Sequence, residues 1–234
     1  MKAVDLKVLV VSQADVHGGA ARAAYRLHRA LLQRGVQSQM LVAKKMSGDY
    51  SVLGPDSNPA NTWADLRNYL SLPLHWLHDA VNRNLHSYNI FPSGLHKKIN
   101  AMDVDVVNLH WINREMMSVA EIAKIHHPIV WTLHDMWAFC GAEHYDDLAQ
   151  PERYKAGYPA SQSHRGRFDL DRWVWQRKFK HWSKKPFNFV TPSVWLAQCV
   201  EQSALLRNHK VRSIPNCIDL ELFRPIDKKL LEIY

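Results

Sequence analysis

At 234 residues, with 47% hydrophobic and 22% charged residues, the chain has the make-up of one large or two small globular domains, not of a disordered polymer. Its three cysteines show no CxxC spacing, which argues against a disulfide framework or a cysteine zinc site, and the longest apolar run, Val8 to Val11, is far too short to span a membrane. The net charge of +8 suggests an anionic partner, yet no zinc-finger, RNP or P-loop pattern points to nucleic acid.

The elements alternate along the chain. Leu6 to Ser12 is a β-branched apolar run and reads as a buried strand. Asp5 and Lys7 would interrupt the apolar region of a signal peptide, so the expected location is the cytoplasm. Gly18 to Arg34 carries Ala20, Ala23, Ala24, Leu27, Leu31 and Leu32 at helical spacing, and Gly35 stops it. Val36 to Ala43 reads as a second strand. A helix broken near Pro73 is expected over Trp63 to Leu85, then a short helix from Gly94 to Met102 and a strand from Val104 to Leu109. Ser118 and Glu121 form an S-x-x-E capping box opening a helix to about Ile125. Strands follow at Pro128–Leu133, Phe187–Val190 and Lys210–Ile214, with helices at Asp171–Ser183 and from Ser193 to about Leu206. Alternation of this kind predicts an α/β fold: a doubly wound, Rossmann-like parallel sheet whose ligands sit beyond the carboxyl ends of the strands.

The residues just after the strands therefore matter most. Gly18 and Gly19 precede a helix, where bare N–H groups and the helix's positive end suit a phosphate, and Arg22 adds a charge one turn on. A nicotinamide site does not fit: the G-x-G-x-x-G fingerprint is missing, and the second strand runs into Lys44 and Lys45 where an acid should hold the ribose. His110 and Trp111 follow one strand, and His134, Asp135 and Trp137 follow another, with His144 and Tyr145 beyond. Histidine offers hydrogen bonds to hydroxyls and tryptophan a flat face for a sugar ring. No metal-ligand spacing appears among the 14 histidines.

Gly18-Gly19-Ala20-Ala21-Arg22, Asn108-x-His110-Trp111, Thr132-Leu133-His134-Asp135-Met136-Trp137, Thr191-Pro192-Ser193 and Ile214-Pro215-Asn216-x-Ile218-Asp219 occur in order across nearly the whole chain. Together they resemble the N-terminal domain of family 4 glycosyltransferases, of the bacterial exopolysaccharide or O-antigen type. The resemblance implies one half of a GT-B architecture. Residues 1–214 would be the acceptor-side domain, with 136–184 as an insertion, and 215–234 an interdomain linker, the donor-binding C-terminal domain being absent. It implies a retaining transfer, without metal or cofactor, from a nucleotide-sugar donor to a glycan or lipid-linked acceptor, by a protein that is peripheral at the inner membrane face. Gly18 and Gly19 would contact the donor, His134 the donor sugar near the reacting carbon, and Arg22, His110, Trp111 and Trp137 the acceptor. This chain alone is then expected to be inactive. Cys217 stands where relatives carry Gly, so Asn216 is a candidate for the left-handed turn there. A non-catalytic sugar- or membrane-binding half-protein, or a subunit of a split transferase, is the alternative.

Two surface features bear on the membrane. Arg172, Arg177, Lys178, Lys180, Lys184 and Lys185 interleave with Trp173, Trp175, Phe179 and Trp182, of which the last three share a helix face. Core packing with the basic residues solvated is the default, and contact with an anionic membrane surface the alternative. The Trp63 to Leu85 segment is a second such candidate.

Overall fold

A computed structural model describes residues 5–55, 58–77, 85–146, 152–162, 169–221 and 223–225. Seven strands form one sheet: β1 (Lys7–Ala14), β2 (Gln37–Lys44), β3 (Val52–Leu53), β4 (Val106–Leu109), β5 (Ile129–Thr132), β6 (Phe187–Thr191) and β7 (Lys210–Ser213). Their spatial order is β3-β2-β1-β4-β5-β6-β7. All six pairings are parallel, as the alternation of strand and helix requires.

Burial on both faces explains why the middle of β1, Val8 to Val11, is apolar at successive positions instead of alternating. Val8, Val10, Met40 and Val42 face Ala24 of α1 (Gly19–Gln33) on one side. Leu9, Val11, Leu41 and Val107 turn to the other side, joining Ile99 of α3 (Leu95–Asn100) and Ile122 of α4 (Val119–Ile122). Between β3 and α3 runs α2 (Asn58–Leu77), which passes through Pro73 without the expected break. Its predicted extension over 78–84 lies outside the described residues. The remaining helices are α5 (Arg153–Ala156), α6 (Leu170–Trp182) and α7 (Val194–Gln202). No helix among the described residues is long and apolar enough to cross a membrane.

Local signals behave as their chemistry dictates. Ser118 Oγ accepts from Glu121 N at 3.3 Å while Glu121 Oε2 accepts from Ser118 N at 3.1 Å, completing the capping box. Ser193 Oγ caps α7 through Leu196 N at 3.2 Å. Asn216 does not take the left-handed turn, being absent from the residues of positive φ. Three short elements carry no pattern: β3, α5 and a 3-10 turn at Ala160–Gln162 span two, four and three residues, too few for a period to register.

The stretch after β5 packs onto α6, and here the solvated-lysine expectation fails for one residue. Trp175 and Trp182 are buried, but so is Lys178 between them, completely. Its ammonium donates to the carbonyls of Trp137, Cys140 (3.1 Å) and Gly141 (2.6 Å), and sits 3.8 Å from the centre of the Trp137 ring. Gly141 is held against α6 so closely that a Cβ would lie 2.5 Å from the Asp171 carbonyl oxygen. Beside it, the Tyr158 hydroxyl donates to Glu143 and accepts from Gly141 N at 2.9 Å.

Burial pushes the Glu143 carboxyl up to about 8, with the nearby Asp171 adding to the effect. A carboxyl raised this way binds its proton more tightly folded than unfolded. Its contribution is therefore complete below the unfolded value of 4.5 and disappears as pH rises through about 8. Glu143→Gln, which mimics the protonated form, should be nearly neutral at pH 4.5 and stabilising by roughly 5 kcal/mol at pH 9. Urea titrations of parent and variant at both pH values test this. A difference that stays constant with pH would show that Glu143 does not titrate in this range.

Candidate active site

The topology brings three chain segments to one rim. The chain leaves β1 and β4 in opposite directions along the sheet, opening a crevice at their carboxyl ends. A cavity of about 570 Å³ lies there, walled by Ser12 to Ala14, the loop from His17 to Ala21, Trp111, Arg114, His134, Asp135, Pro192 and Asn216, among others. Of the expected site residues, Gly18, Gly19, Trp111 and His134 thus line a single cavity. Gly18 has φ 91° and ψ 163°, a conformation that only glycine adopts readily, which is how the loop can turn straight into α1. No atom approaches within 4 Å of where a Cβ would stand on either Gly18 or Gly19, so both backbones face open space.

The other three expected residues stand elsewhere. His110 and Trp137 are buried, and reach only a small void behind the main cavity. Trp137 donates its indole N–H to Ser87 O at 2.8 Å and serves as packing. Arg22 is on the exposed side of α1, its Nε 3.3 Å from Val16 O, where it steadies the glycine loop and does not form the wall.

His110 has a different part. Asn108 Nδ2 lies 2.9 Å from Val130 O, and a carbonyl only accepts, so the amide orientation is fixed and Oδ1 must face His110. Nδ2 also reaches Thr132 Oγ1 at 3.1 Å. The His110 Nε2 proton is then donated to Asn108 Oδ1 at 2.7 Å. Burial pushes His110 far below the ordinary histidine range, with His134 adding to it, so the ring is neutral and Nδ1 carries a lone pair. That lone pair accepts from His134 Nε2 at 2.9 Å. Burial also lowers His134, against the pull of Asp135, and its remaining Nδ1 is left bare. A run of three side chains starting at a sheet carbonyl thus makes His134 a hydrogen-bond acceptor.

Asp135 anchors the other wall. It accepts from Trp111 Nε1 at 2.9 Å, Trp137 N at 3.0 Å and His144 Nδ1 at 2.6 Å, while His144 Nε2 meets Ser87 Oγ at 2.8 Å. Burial alone would raise this carboxyl, but His144 and the N–H donors hold it below the ordinary range. Trp111 is thereby fixed with its ring at the cavity. Arg114, which no sequence pattern marked, adds a cation to the wall from a left-handed backbone with φ 54°, its guanidinium 5.8 Å from the centre of the Trp111 ring.

The family model for Glycosyltransferase Family 4 matches residues 17–222. The chain belongs to that family. No curated protein matches it. As a glycosyltransferase domain it serves binding of a sugar donor and an acceptor, and the glycine loop, the histidine pair and Trp111 all fall within the matched residues. The seven-stranded parallel sheet is the Rossmann-like layout of one GT-B half.

Proposed function

We propose that this family 4 glycosyltransferase domain serves a retaining transfer from a nucleotide sugar to a glycan or lipid-linked acceptor in bacterial exopolysaccharide or O-antigen assembly. The observation that carries the reading is the bare Nδ1 of His134 on the same cavity as the open backbones of Gly18 and Gly19. A neutral acceptor nitrogen suits a sugar hydroxyl. Two unshielded glycines before a helix suit the donor's phosphates or sugar. Trp111 offers its face to a sugar ring on the acceptor side, and His110 acts through His134. Trp137 and Arg22 support the walls.

Breaking a sugar–phosphate bond leaves negative charge on the diphosphate and positive charge on the sugar. Catalysis then depends on fixed positive groups aimed at the leaving oxygen and on placing the acceptor hydroxyl. Arg114 is the one permanently charged cation on the cavity wall among the described residues. A second Rossmann-like domain, closing over the cavity past the 215–234 linker, would supply the rest of the clamp. Exposed Ile214, Ile218 and Leu220 are suited to lie against it. On this reading residues 1–234 alone do not turn over donor, and work takes place at the inner membrane face.

The test is incorporation of radiolabel from a panel of nucleotide sugars into a lipid-extract acceptor, by residues 1–234 with and without a second domain supplied on the same chain or on another. Incorporation only when both are present, with unchanged anomeric configuration, supports the reading. Inversion, or no turnover of any donor by the pair, overturns it.

A further inference from the structure

A second cavity, of about 250 Å³, shares no wall residue with the first. It lies between β2 and α2, walled in part by Leu41, Trp63, Arg67, Ser93, Gly94 and Lys98. Arg67 is the unusual member. It is 5% exposed, and its Nε is fully buried with no hydrogen-bond partner. Among the described residues no hydrogen bond or ion pair engages Arg67; its guanidinium has only the Trp63 ring, 5.8 Å from centroid. Glu115 and Glu121 favour its charge from a distance. Their oxygens, however, are spent on backbone N–H groups: Glu115 on Ile90 and Phe91, Glu121 on Ser93 and Gly94.

A guanidinium whose Nε is shut off from water without a partner carries a cost, and part of that cost is recovered when an anion enters. The planar fork of donors matches a phosphate's oxygens. Trp63 gives an apolar face beside the charge. On the outside of α2, Leu66, Tyr69, Leu70 and Leu72 are all exposed.

We infer that this cavity is a binding site for an organic phosphate, held by Arg67 with Trp63 against the carbon skeleton next to it. The same chemistry is offered by a phosphorylated sugar and by an anionic lipid headgroup. The outer face of α2 would rest on the bilayer in the second case.

Two probes separate the sources: glycerol 3-phosphate in solution, followed by thermal shift at constant ionic strength, and flotation with phosphatidylglycerol or phosphatidylcholine vesicles. At least one should bind the full chain, with affinity falling tenfold or more in Arg67→Met and less in Arg67→Lys. Binding of glycerol phosphate without vesicles identifies a soluble phosphate; selective flotation with phosphatidylglycerol identifies the headgroup. Replacing an unpartnered buried charge by an apolar chain of similar length should leave Arg67→Met at least as stable as the parent. Failure of both probes, equal binding by Arg67→Met, or a large loss of stability in Arg67→Met rescued by Arg67→Lys would each overturn the site.

Discussion

His134→Ala should lower turnover of the transferase by about 10²–10³-fold, the range typical of removing one preorganised hydrogen-bonding group from a transfer site, while the melting temperature changes little. Among the described residues the ring makes one hydrogen bond, to His110. What alanine removes is therefore mainly the Nδ1 acceptor at the cavity. Asn108→Leu touches no ligand, yet it frees His110 to place its proton on Nδ1 and so to repel the His134 N–H. Turnover should then fall by roughly 10–100-fold, the usual cost of losing an orienting partner behind a site residue, with a shifted pH profile. Initial rates against pH for parent, His134→Ala and Asn108→Leu make the measurement. Activity within threefold of the parent in His134→Ala would remove the role assigned to that residue.

Lys178→Met should cost about 3–5 kcal/mol of folding stability, read from urea unfolding monitored by tryptophan fluorescence. Methionine fills nearly the same volume but donates nothing. The carbonyls of Trp137, Cys140 and Gly141 would be stranded in a site without water, each at a cost near 1 kcal/mol or more. The contact with the Trp137 ring would also be lost. These three carbonyls shape the turn directly after His134 and Asp135, so the variant should lose activity at temperatures where the parent is still folded. A loss below 1 kcal/mol would mean that the turn holds itself together without the ammonium.

The sheet was legible because its cause is local. Strands buried on both faces read as apolar runs, and the helices between them show caps and stops, so their order follows from alternation. Gly18, Trp111 and His134 line one cavity because each lies shortly beyond a strand and parallel strands end on one rim. Trp137, three residues past His134, turns inward instead, because the bend made by Asp135 accepting the Trp137 N–H leaves no mark in periodicity. Lys178 was unreadable for a similar reason: its partners are backbone carbonyls about forty residues away, and carbonyls carry no sequence identity. Arg67 is the same case in reverse, a charge whose burial depends on where α2 docks.

The central pairing of β1 with β4 also has a temporal side. Val8 stands opposite Val106, so the first strand can gain one neighbour, β2, early in synthesis but must wait about a hundred residues for the other. At ribosomal speeds of roughly 5–20 residues per second that is about 5–20 s with one edge of the apolar run Val8 to Val11 uncovered. A nascent chain stalled before Leu109 should therefore be a strong client of ribosome-associated chaperones, and one released past Thr132 a weak one.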